Sequence, residues 1–277
     1  MKTTFRMFLC LFWFTLPLAS GYGSEGEAAM QANFAEKEHT AGARMVLTIK
    51  DVEYAFRWCP AGTFMMGSPQ DEAGRVGNET LHQVVLSRGF WMLETEVTQT
   101  MWEGVIGNNP SNFKGVKLPV ECVTWNDCQE YIKKLNDLDV VPKGYRFSLP
   151  TEAQWEYACR AGTTTAYHFG STLANDKANF GNNVGQTKYV GSYPANAWGL
   201  HDMHGNVWEW CLDWYGDYPN VSVTDPTGAV KGSARVLRGG NGSRVAKDCR
   251  SAIRGSFVPS GWYFDLGLRV SLVSSGE

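Results

Sequence analysis

The chain has 277 residues, 43% of them hydrophobic and 13% aromatic, so it can bury a large core as one big domain or two small ones. Its formal net charge of −3 provides no basic field, which excludes a typical nucleic-acid-binding protein. The 30 glycines and 11 tryptophans predict many turns and bulky aromatic packing rather than a helical bundle.

Residues 1–21 have the pattern of a signal peptide. Lys2 and Arg6 precede the apolar run Met7–Leu18, which is too short to span a membrane, and small residues follow it. We expect cleavage near residues 20–24, a flexible leader over residues 22–44 and a folded domain over residues 45–277. No later apolar run is long enough to cross a membrane. The mature protein is therefore predicted to be secreted, periplasmic or at the cell surface.

Export changes how the cysteines are interpreted, because an oxidising compartment allows them to pair. The cysteines that remain after cleavage are Cys59, Cys122, Cys128, Cys159, Cys211 and Cys249. Their spacing alone does not select a pairing. The pattern Cys-x-x-Cys is missing from the sequence, which argues against a zinc ribbon or a thioredoxin-like site.

The first half of the domain carries both strand and helix signals. Met45–Ile49 and Tyr54–Trp58 read as short strands joined by a turn. Thr98 begins a helix that ends near Ile106, before Gly107. Further helices are predicted to begin at Thr124, which forms a capping box with Asp127, and at Pro150–Gln154, the latter running to Arg160.

Beyond Gly162 the sequence has no good helical period and is rich in Gly, Asn, Ser and aromatic residues. No Pro/Ser-rich linker separates the helix-bearing half from this half. The sequence therefore predicts one compact α+β domain with little regular secondary structure in its second half.

The segment Gly199–Trp210, which reads GLHDMHGNVWEW, combines two tryptophans, two carboxylates and two glycines. Because strand side chains alternate, Trp208 and Trp210 share one side of an extended chain and Glu209 points to the other. Gly205 suits a turn with positive φ. Oxygens of Asp202, Glu209 and the turn backbone could converge on a hard cation. The alternative is that both carboxylates only accept backbone N–H groups in a tight loop.

Several motifs occur together in a fixed order along the chain. They are Phe64-Met-Met-Gly-Ser, Glu94-Thr-Glu-Val-Thr98, Pro119-Val120 with Val123-Thr-Trp125, Leu149–Tyr157, Gly199–Trp210, Arg235–Gly240 and Gly267–Val270. This set resembles the formylglycine-generating-enzyme family, or sulfatase-modifying factors, over about residues 50–273. The resemblance implies a single compact formylglycine-generating-enzyme-type domain whose second half is akin to a C-type lectin.

The resemblance also implies structural Ca²⁺. Its ligands would be the side chains of Asp202 and Glu209, with the backbone carbonyls of Gly205 and Val207. Asp202 stands where the family's enzyme has Asn. A second calcium site would fall near Asn179, Phe180, Asn182 and Val184, where the loop is shorter than in the enzyme.

By the same resemblance, Cys159 and Cys249 occupy positions that pair as a structural disulfide. Such a bridge would close a long loop and stabilise the fold by restricting the unfolded chain. The alternative is two buried free thiols, which are common in protein cores.

The family's oxidation chemistry needs two further cysteines just after the Arg-Gly-Gly motif, whose thiolates capture copper. Here that stretch, residues 241–248, contains no cysteine. Copper is therefore not expected, and the chain is predicted to lack the enzyme's activity. His201 and His204 flank Asp202, but satisfied or exposed histidines are a more common arrangement than a metal cluster. The nucleophile-elbow pattern Gly-x-Ser-x-Gly is also missing.

Residues 241–265 interleave scaffold-like positions with a mixture of Gly, Ser, Asn and aromatic residues, as in an antibody paratope. The predicted ligand-binding residues are Arg244, Phe257, Trp262, Tyr263, Phe264 and Asp265. The layout resembles the variable region of retroelement-diversified proteins that share this fold. Most of the mixture can be reached from an Asn codon by changing its first two bases, although Trp262 cannot. The alternative is an ordinary diverged loop.

The leading hypothesis is an exported, non-catalytic family member that binds a protein or glycan ligand through residues 241–265, with Ca²⁺ as a structural ion. The alternative is a formylglycine-generating oxidase with atypical copper ligation, which would convert a sulfatase cysteine to formylglycine.

Overall fold

The computed structural model describes residues 39–141 and 143–275. The predicted signal peptide and most of the predicted leader lie outside these residues. The described residues of the predicted leader pack against the domain. The ring of His39 lies 4.7 Å from that of Trp91, and the Gly42 amide donates to the Trp58 carbonyl at 2.9 Å.

Twelve short strands are found in the described residues. In chain order they are β1 (Arg44–Ile49), β2 (Val52–Cys59), β3 (Gly62–Met66), β4 (His82–Leu86), β5 (Phe90–Leu93), β6 (Tyr145–Ser148), β7 (Trp208–Trp214), β8 (Val223–Thr224), β9 (Arg235–Arg238), β10 (Gly255–Phe257), β11 (Leu266–Leu268) and β12 (Ser271–Ser274). They form three sheets, with the orders β1-β2-β5-β12-β6, β10-β9-β7-β11 and β3-β4-β8. The predicted hairpin of the first two strands is confirmed, because β1 and β2 pair antiparallel.

Three α-helices begin where the sequence predicts. Helix α1 (Gln99–Ile106) is capped by Thr98, and Gly107 ends it with φ of 94°. Helix α2 (Trp125–Asp137) has the predicted capping box between Thr124 and Asp127. Helix α3 (Glu152–Arg160) is capped by Thr151 in the same way, with Gln154 as the partner.

In the described residues beyond 162 the only helical turn is a 3₁₀ segment, Ala246–Cys249. The prediction of an α+β domain with little regular structure in its second half is confirmed. Among the described helices none is long and apolar enough to cross a membrane.

The main core lies between the five-stranded sheet, helices α1 and α2, and one face of the four-stranded sheet. Trp210 of β7 and Phe147 of β6 are fully buried in this core. A second cluster gathers around α3, where Trp155 is fully buried. Core residues therefore pack against both faces of the four-stranded sheet. Strand β10 of this sheet belongs to residues 241–265, so the sheet also positions that segment.

Candidate functional site

The segment Gly199–Trp210 enters strand β7 through a tight turn. Gly205 has φ of 91°, and a Cβ there would lie 2.1 Å from the Asn179 carbonyl oxygen, so only glycine fits. The alternation predicted for β7 is confirmed. The ring of Trp210 lies 6.5 Å from that of Phe257, whereas Glu209 faces the opposite side of the sheet, towards Trp155 and Arg269.

Both carboxylate oxygens of Glu209 are engaged by other side chains. Arg269 donates from Nη2 to Oε1 at 2.8 Å and from Nε to Oε2 at 3.1 Å. The Trp155 indole donates to Oε2 at 2.6 Å. Arg269 and Glu209 are both at most 1% exposed. The predicted role of Glu209 as a calcium ligand does not fit this arrangement, because the guanidinium already supplies the compensating charge.

Asp202 and Glu96 form an acidic pair beside Arg269, whose charge opposes the rise in pKa of both. Its Oδ2 accepts from the Gly191 amide at 2.6 Å. Burial raises the pKa of both Asp202 and Glu96, and the neighbouring Asp202 charge raises the pKa of Glu96 further. Glu96 Oε1 accepts from the Asn206 amide at 2.8 Å, and its buried Oε2 has no partner among the described residues. Two adjacent buried acids suit a cation or a shared proton.

The second predicted calcium position is only partly consistent with the structure. Asn179 is 1% exposed, and its Oδ1 has no partner among the described residues, as expected of an oxygen available for an ion or water. Asn182 is exposed, with φ of 58°. Its amide nitrogen donates to the Gly242 carbonyl at 2.8 Å, which ties this loop to residues 241–265.

The predicted disulfide between Cys159 and Cys249 is not formed in the structure. All six cysteines in the described part of the chain are free, and these two are buried. The Cys159 thiol contacts the Ser251 hydroxyl at 3.6 Å, and the Cys249 thiol contacts the Asn241 carbonyl at 3.9 Å. Burial raises the pKa of both thiols to about 12. The structure thus matches the alternative of two buried thiols.

His201 and His204 are satisfied by backbone groups rather than gathered in a metal cluster. His204 Nδ1 lies 2.8 Å from the Cys249 carbonyl oxygen, and His201 Nδ1 lies 2.7 Å from that of Tyr193. Burial lowers the pKa of His204, so it is neutral. Among the described residues no group of three or more His, Cys, Asp and Glu side chains could hold a metal.

Two buried arginines within residues 241–265 attach this segment to the rest of the domain. Arg250 pairs with Glu79 at 2.6 Å, and Arg254 pairs with Glu152 at 2.7 Å. Gly240 allows the preceding turn, because a Cβ there would lie 2.5 Å from the Asp248 carbonyl oxygen. These contacts hold a loop-rich segment in one conformation, since removing either partner of a buried pair would leave an uncompensated charge.

Above this scaffold the segment presents exposed aromatic side chains. The exposed fractions of Trp262, Tyr263 and Phe264 are 59%, 52% and 41%. Beside them lies an open cavity of about 500 Å³, here called the aromatic cavity. Its lining is Trp208, Leu237, Asn241, Ser243, Arg244, Gly255, Ser256, Phe257, Tyr263, Phe264, Asp265 and Leu266. Of the six predicted ligand-binding residues five line this cavity, and Trp262 lies outside its lining.

Asp265 differs from the prediction in its role. It is only 8% exposed, and its carboxylate accepts from the Asn241 amide at 2.5 Å and from the Ser243 hydroxyl at 3.4 Å. Burial raises its pKa. Asp265 therefore holds the loop that begins at Asn241 and reaches the cavity from below, rather than standing free on the surface.

The floor of the aromatic cavity was not predicted from the sequence. Trp208 and Leu237 form it together with Leu266, which pairs with Trp208 between strands β11 and β7. The alternation of β7 places Trp208 on the same side as Trp210. The alternation does not show that a cavity lies next to Trp208. That cavity depends on how β10 and the 258–264 loop lie across the sheet.

Comparisons with known proteins agree with this geometry. Residues 51–272 match the family described as the sulfatase-modifying factor enzyme 1-like domain. The formylglycine-generating enzyme of Streptomyces coelicolor is 36% identical over 228 residues, covering 72% of this chain and 69% of that enzyme. A solved structure, Treponema denticola variable protein 1, matches with a TM-score of 0.74 and 30% identity, covering 83% of this chain and 98% of that one.

Some relatives are much longer than this chain. The serine/threonine-protein kinase pkn1 of Chlamydia caviae is 42% identical over 143 residues, which cover 50% of this chain but only 21% of the kinase. The family match, in contrast, takes in nearly all of the described residues. The chain belongs to the family of sulfatase-modifying factor enzyme 1-like domains.

Proposed function

We propose that this chain is an exported, non-catalytic member of its family that binds a protein or glycan ligand through residues 241–265. The observation that carries the proposal is the aromatic cavity, with its exposed Tyr263 and Phe264, at the place where the family's chemistry would be. Rigid aromatic side chains beside small polar ones provide contact area at low cost in conformational entropy. Buried ion pairs below them keep the surface organised in advance of binding.

The chemistry of the cysteines supports a binding role. Cu(I) is held by thiolates, but residues 241–248 contain no cysteine. Among the described residues Cys122 is the one cysteine that is part-exposed, and its amide donates to the Tyr263 carbonyl at 3.1 Å. Burial raises its pKa to about 12, and the Glu121 carboxylate contributes to the shift. A single protonated thiol does not replace a thiolate pair.

The second candidate is a formylglycine-generating oxidase with atypical copper ligation. The 36% identity to the Streptomyces coelicolor enzyme favours it. Against it stands the donor set, because a copper site would have to recruit thiols that this fold keeps buried and protonated.

Diversification of the binding surface is a further part of the proposal. The Treponema denticola relative is named a variable protein, and it shares 30% identity over most of this chain. Within residues 241–265 most of the mixed residues are exposed or part-exposed, although Asn241, Ile253 and Asp265 are buried. The scaffold positions Arg250, Ser251 and Ala252 are buried. A surface that changes on a constant scaffold requires such buried scaffold positions.

We also propose calcium as a structural ion of this domain, on Asp202 rather than on Glu209. Asp202 and Glu96 form a buried acidic pair that a divalent cation would neutralise. Asn179 is linked to this pair through Asn206, since its amide donates to Asn206 at 3.2 Å and the Asn206 amide donates to Glu96 at 2.8 Å. The buried Asn179 Oδ1 has no partner among the described residues.

Replacing Tyr263 and Phe264 by serine tests the proposal. Both side chains are exposed, so the double variant should keep its melting temperature to within about 2 °C. We expect binders from a displayed random-peptide library or from a glycan array to recognise the wild type and to bind the variant at least about tenfold more weakly. Val230→Ser, at a fully exposed valine outside the cavity, serves as the matched control. Equal binding to the double variant, or no binder in either collection, would contradict the proposal.

A further inference from the structure

The aromatic cavity is the first of three cavities that adjoin one another across the surface. A narrow waist of about 40 Å³ shares Phe264, Asp265 and Ser243 with it. Beyond the waist lies a third cavity of about 550 Å³, here called the lysine cavity, which shares Phe113 and Thr187 with the waist. The rings of Phe113 and Phe264 are 6.3 Å apart, edge to face, at this junction. The three cavities therefore lie next to one another in a row, here called the groove.

The waist limits what can pass along the groove. Its 40 Å³ is close to the roughly 30 Å³ that one water molecule occupies in the liquid, so neither a sugar ring nor a peptide residue fits inside it. A ligand that reaches both outer cavities therefore lies over the waist. An extended polypeptide can do this, because every second side chain projects from the same face of its backbone and can enter the cavity on either side. The arrangement thus favours an extended polypeptide.

The lysine cavity has a defined sign of charge. Lys114 and Lys188 are its charged side chains, and both are exposed. The Lys188 ammonium lies 6.0 Å from the Tyr193 ring centre, and the Lys114 ammonium donates to the Asn109 carbonyl at 2.9 Å, so both have supporting contacts. At the other end of the groove, the exposed Arg244 and the buried Asp265 both line the aromatic cavity, and Asp265 also lines the waist. The basic lining is therefore that of the lysine cavity, and it complements an acidic ligand.

Thr187 adds a directional contact at the junction. It is 3% exposed, and its buried hydroxyl has no hydrogen-bond partner among the described residues. It lines both the waist and the lysine cavity. A buried hydroxyl without a partner is costly, and a peptide carbonyl or amide passing the waist would satisfy it.

We propose that the binding surface extends over the waist to the lysine cavity, and that its occupant is an extended acidic polypeptide segment with at least one aromatic or large apolar residue. The apolar residue lies in the aromatic cavity, and the acidic residues lie beside Lys114 and Lys188. This inference rests on the proposed function and names the class of its ligand.

The test uses peptides selected from a displayed random twelve-residue library on the wild-type protein, with affinity measured by fluorescence anisotropy. We expect selected peptides to carry clustered Asp or Glu, and their binding to weaken with salt. Lys114→Glu with Lys188→Glu should weaken binding at least about tenfold. Lys50→Glu with Lys231→Glu, at exposed lysines outside the groove, makes the same change in net charge and should alter it less than about twofold.

Two further measurements locate the contacts. Replacing the acidic residues of a selected peptide by their amides should weaken binding to the wild type but not to the Lys114/Lys188 variant. Thr187→Val should weaken binding without shifting the melting temperature downward, because it removes only an unpartnered hydroxyl.

The outcomes separate this inference from the proposed function. Peptides without acidic residues that still depend on Tyr263 and Phe264 would overturn the inference and leave the proposed function standing. Recognition of glycans alone would do the same. Peptides that are indifferent to the Tyr263/Phe264 substitution would overturn both.

Discussion

Replacing Arg269 by methionine is expected to destabilise the fold by about 3–5 kcal/mol, because it leaves the buried Glu209 carboxylate without its countercharge. Arg269 is fully buried, and it also donates to the carbonyls of Leu93 and His201. Methionine keeps most of the volume of the arginine side chain, so the loss of stability reports the missing charge and its hydrogen bonds. This loss is measured as the change in the free energy of unfolding in urea.

The matched control is Arg44→Met. Arg44 pairs with Glu94 at 2.9 Å but is 49% exposed, so its loss should cost less than about 1 kcal/mol. The same titration with EGTA tests calcium. We expect chelation to destabilise the wild type but not Asp202→Ala, which removes the ligand oxygens, and to leave the cost of Arg269→Met in place. An Arg269→Met protein as stable as the wild type would show that Glu209 is neutralised by something other than this arginine.

Trp210→Ala is expected to cost about 3–5 kcal/mol as well, through loss of a large buried side chain. Trp210 is fully buried in the main core. Its indole donates to the Val123 carbonyl at 3.0 Å, so the substitution also leaves that oxygen without this partner. The space left by the indole lies beneath strand β10, whose residues line the aromatic cavity. Ligand binding should therefore weaken together with stability. Urea unfolding and peptide binding measure the two effects.

Trp262→Ala provides the comparison with the same chemical change. Trp262 is 59% exposed and lies outside the lining of the aromatic cavity, so the substitution should change stability by less than about 0.5 kcal/mol. If both tryptophans cost the same, the assignment of Trp210 to the core is wrong.

Local signals predicted the elements well. The caps at Thr98, Thr124 and Thr151 mark the three helix starts, because a capping side chain and its partner lie within one turn of each other. The alternation of Trp208, Glu209 and Trp210 likewise predicted which side chains share a face.

Long-range partners could not be predicted in this way. Glu209 was expected to bind calcium, yet its partner Arg269 lies 60 residues further along the chain. Both residues were visible in the sequence, but only the parallel pairing of β11 with β7 brings the two segments together. The lysine cavity was missed for the same reason, since Phe113 and Thr187 meet only in the folded chain.

The binding surface was partly predicted. The exposed Tyr263 and Phe264 follow from their position in a loop rich in small residues. Asp265 adjoins them in sequence but turns inward to Asn241, because the backbone enters β11 at that point. A contrast in burial between neighbouring residues depends on where a strand begins, which the pattern of residue types does not specify to within one position.

The central claim is that this chain binds a ligand where the family's oxidases carry out chemistry. The most direct test is to load the purified, reduced protein with Cu(I) and incubate it with oxygen and a Cys-x-Pro-x-Arg peptide, with mass spectrometry of the peptide as the readout. The Streptomyces coelicolor formylglycine-generating enzyme serves as the positive control. We predict no stoichiometric Cu(I) binding and an unchanged peptide cysteine. One bound Cu(I) per chain with conversion of the cysteine to formylglycine would contradict the account.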